Sequence, residues 1–290
     1  MTYTRRMIMT IKIVTDSTAY IPEDLLAKYD ISVISLNVIM NGESLRELDI
    51  NDQDFYSTLP LLDEIPTSSQ PILHEMMTTF ETLIKEGHQV LGIFLSSEMS
   101  GTFSSAHMVR NMILENHPDA SIELLDSKTN CMQMGFIALE AAKAAKNGAN
   151  LREVLDIATT IKYHSRFLFT PETLDYLKKG GRIGGASALL GNIFQIKPIL
   201  TVEDGKTTVF TKVRTKKKAI QSFITKLAED LEGHQLGDII VHHIHCEQEG
   251  LALAKQLEEE FKLPVRIQAI GPVIGSHVGP GSIGIAYYIK

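Results

Sequence analysis

Short apolar runs rich in β-branched residues alternate with segments of helical periodicity through the first half of this chain. That alternation is the strongest constraint on its fold. IKIVTDST at 11–18 reads as a strand, and PEDLLAKY at 22–29 as a helix with Pro22 in its first turn. ISVISLNVIM at 31–40 predicts a second strand. Residues 50–60 predict a helix capped by Asn51 or Asp52, and residues 71–87 a helix closed at Gly87. IPTSSQP at 65–71 reads as a loop between them. The unbroken apolar run QVLGIFLS at 89–96 has the pattern of a buried parallel strand. A helix at 96–116, a strand at 121–127 and a helix at 134–148 follow. This spacing gives an N-terminal α/β domain with a parallel sheet, over residues 11–160.

The second half reads differently, as a mixed α+β domain over residues 161–290. A helix at 151–165 leads to a strand at 166–171 and a glycine-interrupted helical stretch at 173–200. Residues 199–213 predict a hairpin about Asp204-Gly205. Helices at 215–233 and 249–261 flank a strand at 238–245, and 265–289 runs strand, glycine-rich loop, then a last strand or helix. No long linker separates the halves, so the two domains are expected to pack closely. The pattern begins at Ile11, which makes Met9 an alternative start.

Charge and composition narrow the function classes. With 28 basic and 35 acidic side chains the net charge is −7, which argues against a broad nucleic-acid groove. Two cysteines, Cys131 and Cys246, fit a reducing compartment better than a disulfide framework. The chain has no apolar run of about 18 residues and no signal-peptide core at its start, so a cytoplasmic protein is expected.

The segment Ser96-Ser97-Glu98-Met99-Ser100-Gly101-Thr102 follows a buried strand and opens a helix. Ligands of open α/β sheets bind beyond the carboxyl ends of strands, and a helix N-terminus favours an anion. Ser100 and Thr102 add hydroxyls, and Gly101 allows close approach of the backbone. The plain alternative is a serine cap. Asp16-Ser17-Thr18, Thr67-Ser68-Ser69 and Asp126-Ser127 lie at the same kind of strand edge. Together they describe a polar rim with little positive charge, which leans toward a carboxylate ligand over a phosphate. Below the rim, helix 131–145 (Met132, Met134, Phe136, Ile137) and helix 183–200 (Ile183, Leu189, Ile193, Phe194) offer apolar surface, either plain core or the wall of an apolar site.

KKGGRIGGAS at 178–187 sets Arg182 among glycines without P-loop spacing, either as a partner contact or as a solvated arginine. His277 stands in the glycine-rich 271–284 segment. His243 and His245 are placed on one strand face, without an evident third metal ligand. A triad of Ser100, His277 and Asp16 is conceivable, but no G-x-S-x-G elbow supports it. A serine-type hydrolase using Ser100 and His277, and a phosphate or sugar-phosphate module using Arg182, are therefore the alternatives.

Seven segments in order resemble one family: VTDST (14–18), PTSSQP (66–71), LSSEMSGTFSSA (95–106), LLDS (124–127), KKGGRIGG (178–185), VRTKKKA (213–219) and GPVIGSHVGPGSIG (271–284). The chain is similar to the DegV family, the fatty-acid-binding group that includes the carrier subunits of bacterial fatty acid kinase. The resemblance covers residues 11–289. It implies a two-domain DegV-like fold with one fatty acid buried between the domains. Its carboxylate would be held by Ser68 and Ser100, with Thr67, Ser97, Gly101 and His277 nearby. Ser68 departs from the family, where a threonine is usual. The hydroxyl is kept and the methyl lost. Arg182 resembles the arginine that docks the kinase.

The implied function is a carrier and not an enzyme. It binds a long-chain fatty acid and presents the carboxyl to a partner kinase subunit. Acyl phosphate then passes to an acyl-phosphate acyltransferase for phospholipid synthesis. The resemblance implies no metal and no cofactor beyond the bound fatty acid, and it allows transient contact with a membrane surface.

Overall fold

The computed structural model describes residues 10–190 and 196–290. Ile193 and Phe194, named above as apolar surface, and Met9 lie outside the described residues. The described residues form a mixed α/β protein with three sheets. Strands β1 (Ile11–Asp16), β2 (Ser32–Ile34), β6 (Gln89–Phe94) and β7 (Ile122–Asp126) form a parallel sheet in the order β2-β1-β6-β7. Helices α3 (Leu73–Lys85) and α4 (Thr102–Asn116) cover one face, with Met76, Phe80, Val109 and Ile113 packed on Val14, Val90 and Phe94.

The second sheet is mixed and six-stranded. Its members are β8 (Ser165–Thr170), β9 (Lys197–Glu203), β10 (Lys206–Val213), β11 (Leu236–His243), β12 (Arg266–Ala269) and β13 (Ile283–Ile289), in the order β10-β9-β8-β13-β11-β12. Helices α8 (Lys216–Asp230) and α9 (Glu247–Phe261) back its outer face through Phe223, Leu227, Leu253 and Leu257.

Helix α5 (Cys131–Lys146) lies between the two sheets. Of its 16 residues 12 are buried, which is why its sequence is apolar nearly all round and rich in alanine. It touches β1 on one side and β8 and β13 on the other. Helix α6 (Leu151–Tyr163) packs beside it, started by an Asn150–Glu153 capping box. The six-stranded sheet begins two residues after α6 ends.

Several expectations are corrected. Residues 31–40 are not one strand. The chain leaves the parallel sheet at Ser35, where Leu36 N–H turns to Ser17 Oγ at 3.0 Å. It re-enters as β3 (Asn37–Met40), in a small antiparallel sheet with β4 (Glu43–Arg46) and β5 (Thr67–Ser69). The Asn41-Gly42 turn between β3 and β4, both at positive φ, is a hairpin signal that the sequence reading passed over. The 65–71 loop therefore contains a strand, and Ser68 is opposite Val38 in it.

The stretch 173–200 is not continuously helical. Helix α7 (Asp175–Lys179) stops at Gly180-Gly181, a 3-10 turn covers Gly184–Leu189, and Lys197 already belongs to β9. His245 lies past the end of β11 with φ at 51°, so it does not share a strand face with His243. His277 sits in the last turn of a short helix, α10 (Pro272–Val278), and not in a loop.

Among the described residues, no helix is long and apolar enough to cross a membrane. No cluster of three or more His, Cys, Asp or Glu side chains is placed to hold a metal ion.

Candidate functional site

A largely enclosed cavity lies between the carboxyl edge of the parallel sheet and the inner face of the six-stranded one. Phe167, Phe169, Val202 and Ile283 line it from the second sheet, and Val273, Ile274 and Val278 from α10. Leu36, Leu95 and Met99 close it from the first half. Helix 131–145 is plain core and not the cavity wall. Only Asn130, just ahead of it, reaches the space, because the helix turns its side chains into the seam between the sheets.

One end of the cavity is polar. Ser68, Ser100, Arg182 and His277 line it together, from four separate segments of sequence. Ser68 Oγ and His277 Nε2 are 2.7 Å apart. His277 is buried, and its Nδ1 has no protein partner. Gly180 lies against that nitrogen so closely that a Cβ there would stand 2.3 Å from it. Burial, and then the neighbouring Arg182 charge, hold the ring's pKa down at about 4, so the imidazole is neutral at pH 7.

Arg182 is exposed. Its Nε donates to Met99 O at 3.1 Å and its Nη1 to Gly180 O at 2.8 Å. Among the described residues no carboxylate pairs with it, so it remains free to face an anion. Ser100 serves two ends. Its Oγ accepts from Thr102 N–H at 3.2 Å, a turn bond one residue ahead of the Gly101 cap in place of the serine cap of the plain alternative, and it also faces the cavity. Beyond Ser68, Arg182 and His277 the cavity meets a wider basin bordered by Asp63, Glu64, Thr67 and Lys179.

The other expected residues are placed elsewhere. Thr67 faces away from Ser68 by strand alternation and borders only the outer basin. Ser97 donates to Asp126 at 2.5 Å and accepts from Lys128 Nζ at 3.0 Å, inside a surface network off the cavity wall. Gly101 packs against Gln70 and does not line the space. Asp16 is fully buried and accepts from Leu95 N–H at 2.8 Å and Thr18 N–H at 3.0 Å. Ser127 Oγ donates to Thr129 O at 3.1 Å. The strand-edge hydroxyls thus split into a cavity pair, Ser68 and Ser100, and groups that tie loops together.

The sequence reading missed His242 and Thr207, which also line the cavity. His242 Nε2 accepts from Met132 N–H at 3.1 Å, and its Nδ1 lies 3.0 Å from Gln268 O. The ring thus caps α5 as a neutral imidazole, with burial lowering its pKa to about 4. Strand alternation around Ile240 and Ile244 was the available signal.

The arrangement resembles a nucleophile–base pair only in its distance. His277 has no carboxylate on Nδ1 to orient it, and at a pKa near 4 it is a weak base at neutral pH. Asp16 is engaged by Thr18 and Leu95, and His277 bonds Ser68 and not Ser100, so the Ser100–His277–Asp16 triad is not assembled.

The family model described as "Uncharacterised protein, DegV family" matches residues 10–290. The chain belongs to the DegV family. A DegV domain-containing protein of Clostridium acetobutylicum is 50% identical over 282 residues, covering 97% of this chain and 99% of its own. Two solved DegV structures have the same fold. One is a DegV family protein from Thermus thermophilus, described for its fatty acid binding. It has a TM-score of 0.90 and 28% identity, covering 97% of this chain and all of that one. The other is DegV from Bacillus subtilis, described as a fatty acid binding protein. It has a TM-score of 0.87 and 34% identity, covering 98% of this chain and all of its own.

Proposed function

We propose that this chain binds one long-chain fatty acid, with the acyl tail in the cavity and the carboxylate at Ser68, Ser100, Arg182 and His277. The observation that carries this reading is a mostly apolar lining with Ser68, Arg182 and His277 at the border it shares with the outer basin, and Ser100 also on the wall. An acyl chain gains about 0.8 kcal/mol per buried CH₂, so the tail supplies most of the affinity. The head group needs few partners, but each must donate.

The Ser68–His277 pair supports that need. With Nε2–H donating to Ser68 Oγ, the serine proton is free for a carboxylate, and the atom left unpartnered on His277 is an acceptor and not an N–H. Ser100 adds a second hydroxyl and Arg182 a charge. A weak, unoriented base beside the carboxyl holds the ligand without attacking it.

The same reading extends to a carrier role in the cell. The carboxyl end stands beside the outer basin, where a partner kinase would reach it, and Arg182 is the exposed group best placed to dock that partner. Acyl phosphate formed by the partner would then serve an acyltransferase in phospholipid synthesis, and this chain alone would catalyse nothing. The expected division at 160/161 would cut α6, so the proposed domain boundary moves to its end, between Tyr163 and Ser165. Mass spectrometry of the purified protein, native and after solvent extraction, tests the binding. Addition of the kinase and ATP to the loaded protein tests the partnership.

A further inference from the structure

Helix α10 is too short to hold itself. Seven residues make fewer than two turns, and such a helix has no stability of its own in water. Yet it supplies Val273, Ile274, His277 and Val278 to the cavity wall. Its first turn must be held from outside, and the destinations of its N–H groups show how. Pro272 has none. Gly275 donates to Gly271 O at 2.9 Å and begins the helical ladder. Between them, Val273 N–H donates to Glu47 Oε1 at 2.8 Å, and Ile274 N–H to Tyr20 Oη at 3.2 Å.

Both acceptors come from the opposite half of the chain, and neither lines the cavity. Tyr20 Oη donates in turn to Glu47 Oε1 at 2.8 Å, and Ser17 Oγ donates to Glu47 Oε2. Glu47 is buried. No lysine or arginine pairs with it among the described residues, and burial raises its carboxyl to about 7. A buried carboxylate without a cation is a costly way to fill space, and an apolar side chain would serve stability better. What only a carboxylate or its isostere does here is accept from the helix end and from Tyr20 together.

We propose that Glu47 is the positioning residue of the head-group site: by capping Val273 and orienting Tyr20 it fixes α10, so that His277, one turn on, stands within hydrogen-bond reach of Ser68. The inference rests on the fatty-acid reading only for its consequence in binding. The geometry it describes is made of protein groups alone.

The test uses the full chain labelled with ¹⁵N at histidine. In ligand-free protein, Glu47→Ala is expected to shift or broaden the His277 ring resonances, while those of exposed His234 stay in place. Glu47→Gln keeps an oxygen for Val273 N–H and is expected to restore them. Palmitate affinity is expected to fall about tenfold or more in Glu47→Ala and to stay within about threefold in Glu47→Gln. An unchanged His277 spectrum together with unchanged affinity in Glu47→Ala overturns the proposal. Should Glu47→Ala not fold, Tyr20→Phe carries the test, since it removes only the hydroxyl. A displaced His277 ring supports the proposal and an unmoved one overturns it. A wild-type protein that binds no palmitate counts against the fatty-acid reading, and the ring resonances still decide the role of Glu47.

Discussion

Replacing Gly180 with alanine presses on His277 through a single added methyl. The glycine ends α7 with φ at −74°, a conformation alanine adopts freely, so no backbone strain is expected. Alanine at a compatible position stabilises by about 0.4–1 kcal/mol through the unfolded chain. The added methyl, however, would lie 2.3 Å from His277 Nδ1 and 3.1 Å from Tyr176 O. Carbon and nitrogen need a separation of roughly 3.5 Å, so the imidazole must move by about 1 Å. A shift of that size upsets the distance or angle of its 2.7 Å contact with Ser68. Losing a hydrogen bond that supports an ionised ligand costs about 1.5–3 kcal/mol, or roughly 10- to 150-fold in affinity. The assay is displacement of a fluorescent fatty acid, with urea unfolding run alongside. The expected result is an affinity loss in that range with cooperative unfolding retained, the midpoint lowered because overpacking costs about 1–3 kcal/mol and the alanine returns only part of it. Unchanged affinity with the fold intact would refute the reasoning, because His277 would then not be part of the head-group site.

Three further outcomes are expected. Ser68→Ala should lower fatty-acid affinity about 10- to 100-fold, while Ser68→Thr, which keeps the hydroxyl, stays within about threefold; titration of both decides whether the hydroxyl or the methyl matters. Arg182→Ala should reduce kinase-dependent phosphorylation at saturating carrier more than it reduces affinity, and an unaltered rate would exclude a docking role. Stability against pH should show opposing effects. Asp16 and Glu47, raised to about 6 and about 7, bind protons more tightly when folded, so their contribution is lost as pH rises from about 4 to 7. His242 and His277, lowered to about 4, bind protons less tightly when folded, so their contribution grows with pH between about 4 and 6.5. His243, also lowered by burial, adds to the second group, so urea midpoints should rise only gently across that window in the wild type. In Glu47→Gln they should rise more steeply, and a wild-type-like slope in that variant would contradict the raised Glu47 carboxyl.

The large elements were legible because their patterns are local. The continuous apolar run at 89–96, the Asn51 cap and the Asp204-Gly205 hairpin each state their conformation within a few residues. The 31–40 segment was not legible as two strands. Its β-branched pattern is uninterrupted, and the break at Ser35 is imposed by a hydrogen bond from residue 36 back to Ser17. The α5 helix showed the limit of composition, since an apolar helix face reads alike in a core seam and in a ligand wall.

The head-group residues were reachable by type but not by geometry. Ser68 and Ser100 stood out as strand-edge hydroxyls, and the family resemblance named them with His277 for the head group and Arg182 for docking; the structure places all four on the cavity wall. Thr67 and Ser97 carry the same hydroxyl, yet strand alternation turns one outward and Asp126 engages the other. Glu47 offered no signal at all. It is a single acidic residue in an unremarked stretch, and its partners at Val273 and Tyr20 are 226 and 27 residues away.

The most direct test of the account is mass spectrometry of the protein as purified, first native and then after organic extraction. The account predicts one long-chain fatty acid per chain, retained in the native spectrum and recovered by extraction, and its loss or weakening in Ser68→Ala. A chain that carries no lipid and shows no mass shift on incubation with palmitate or oleate would contradict the central claim, and would leave the cavity's function to be sought among the hydrolytic and phosphate-binding alternatives.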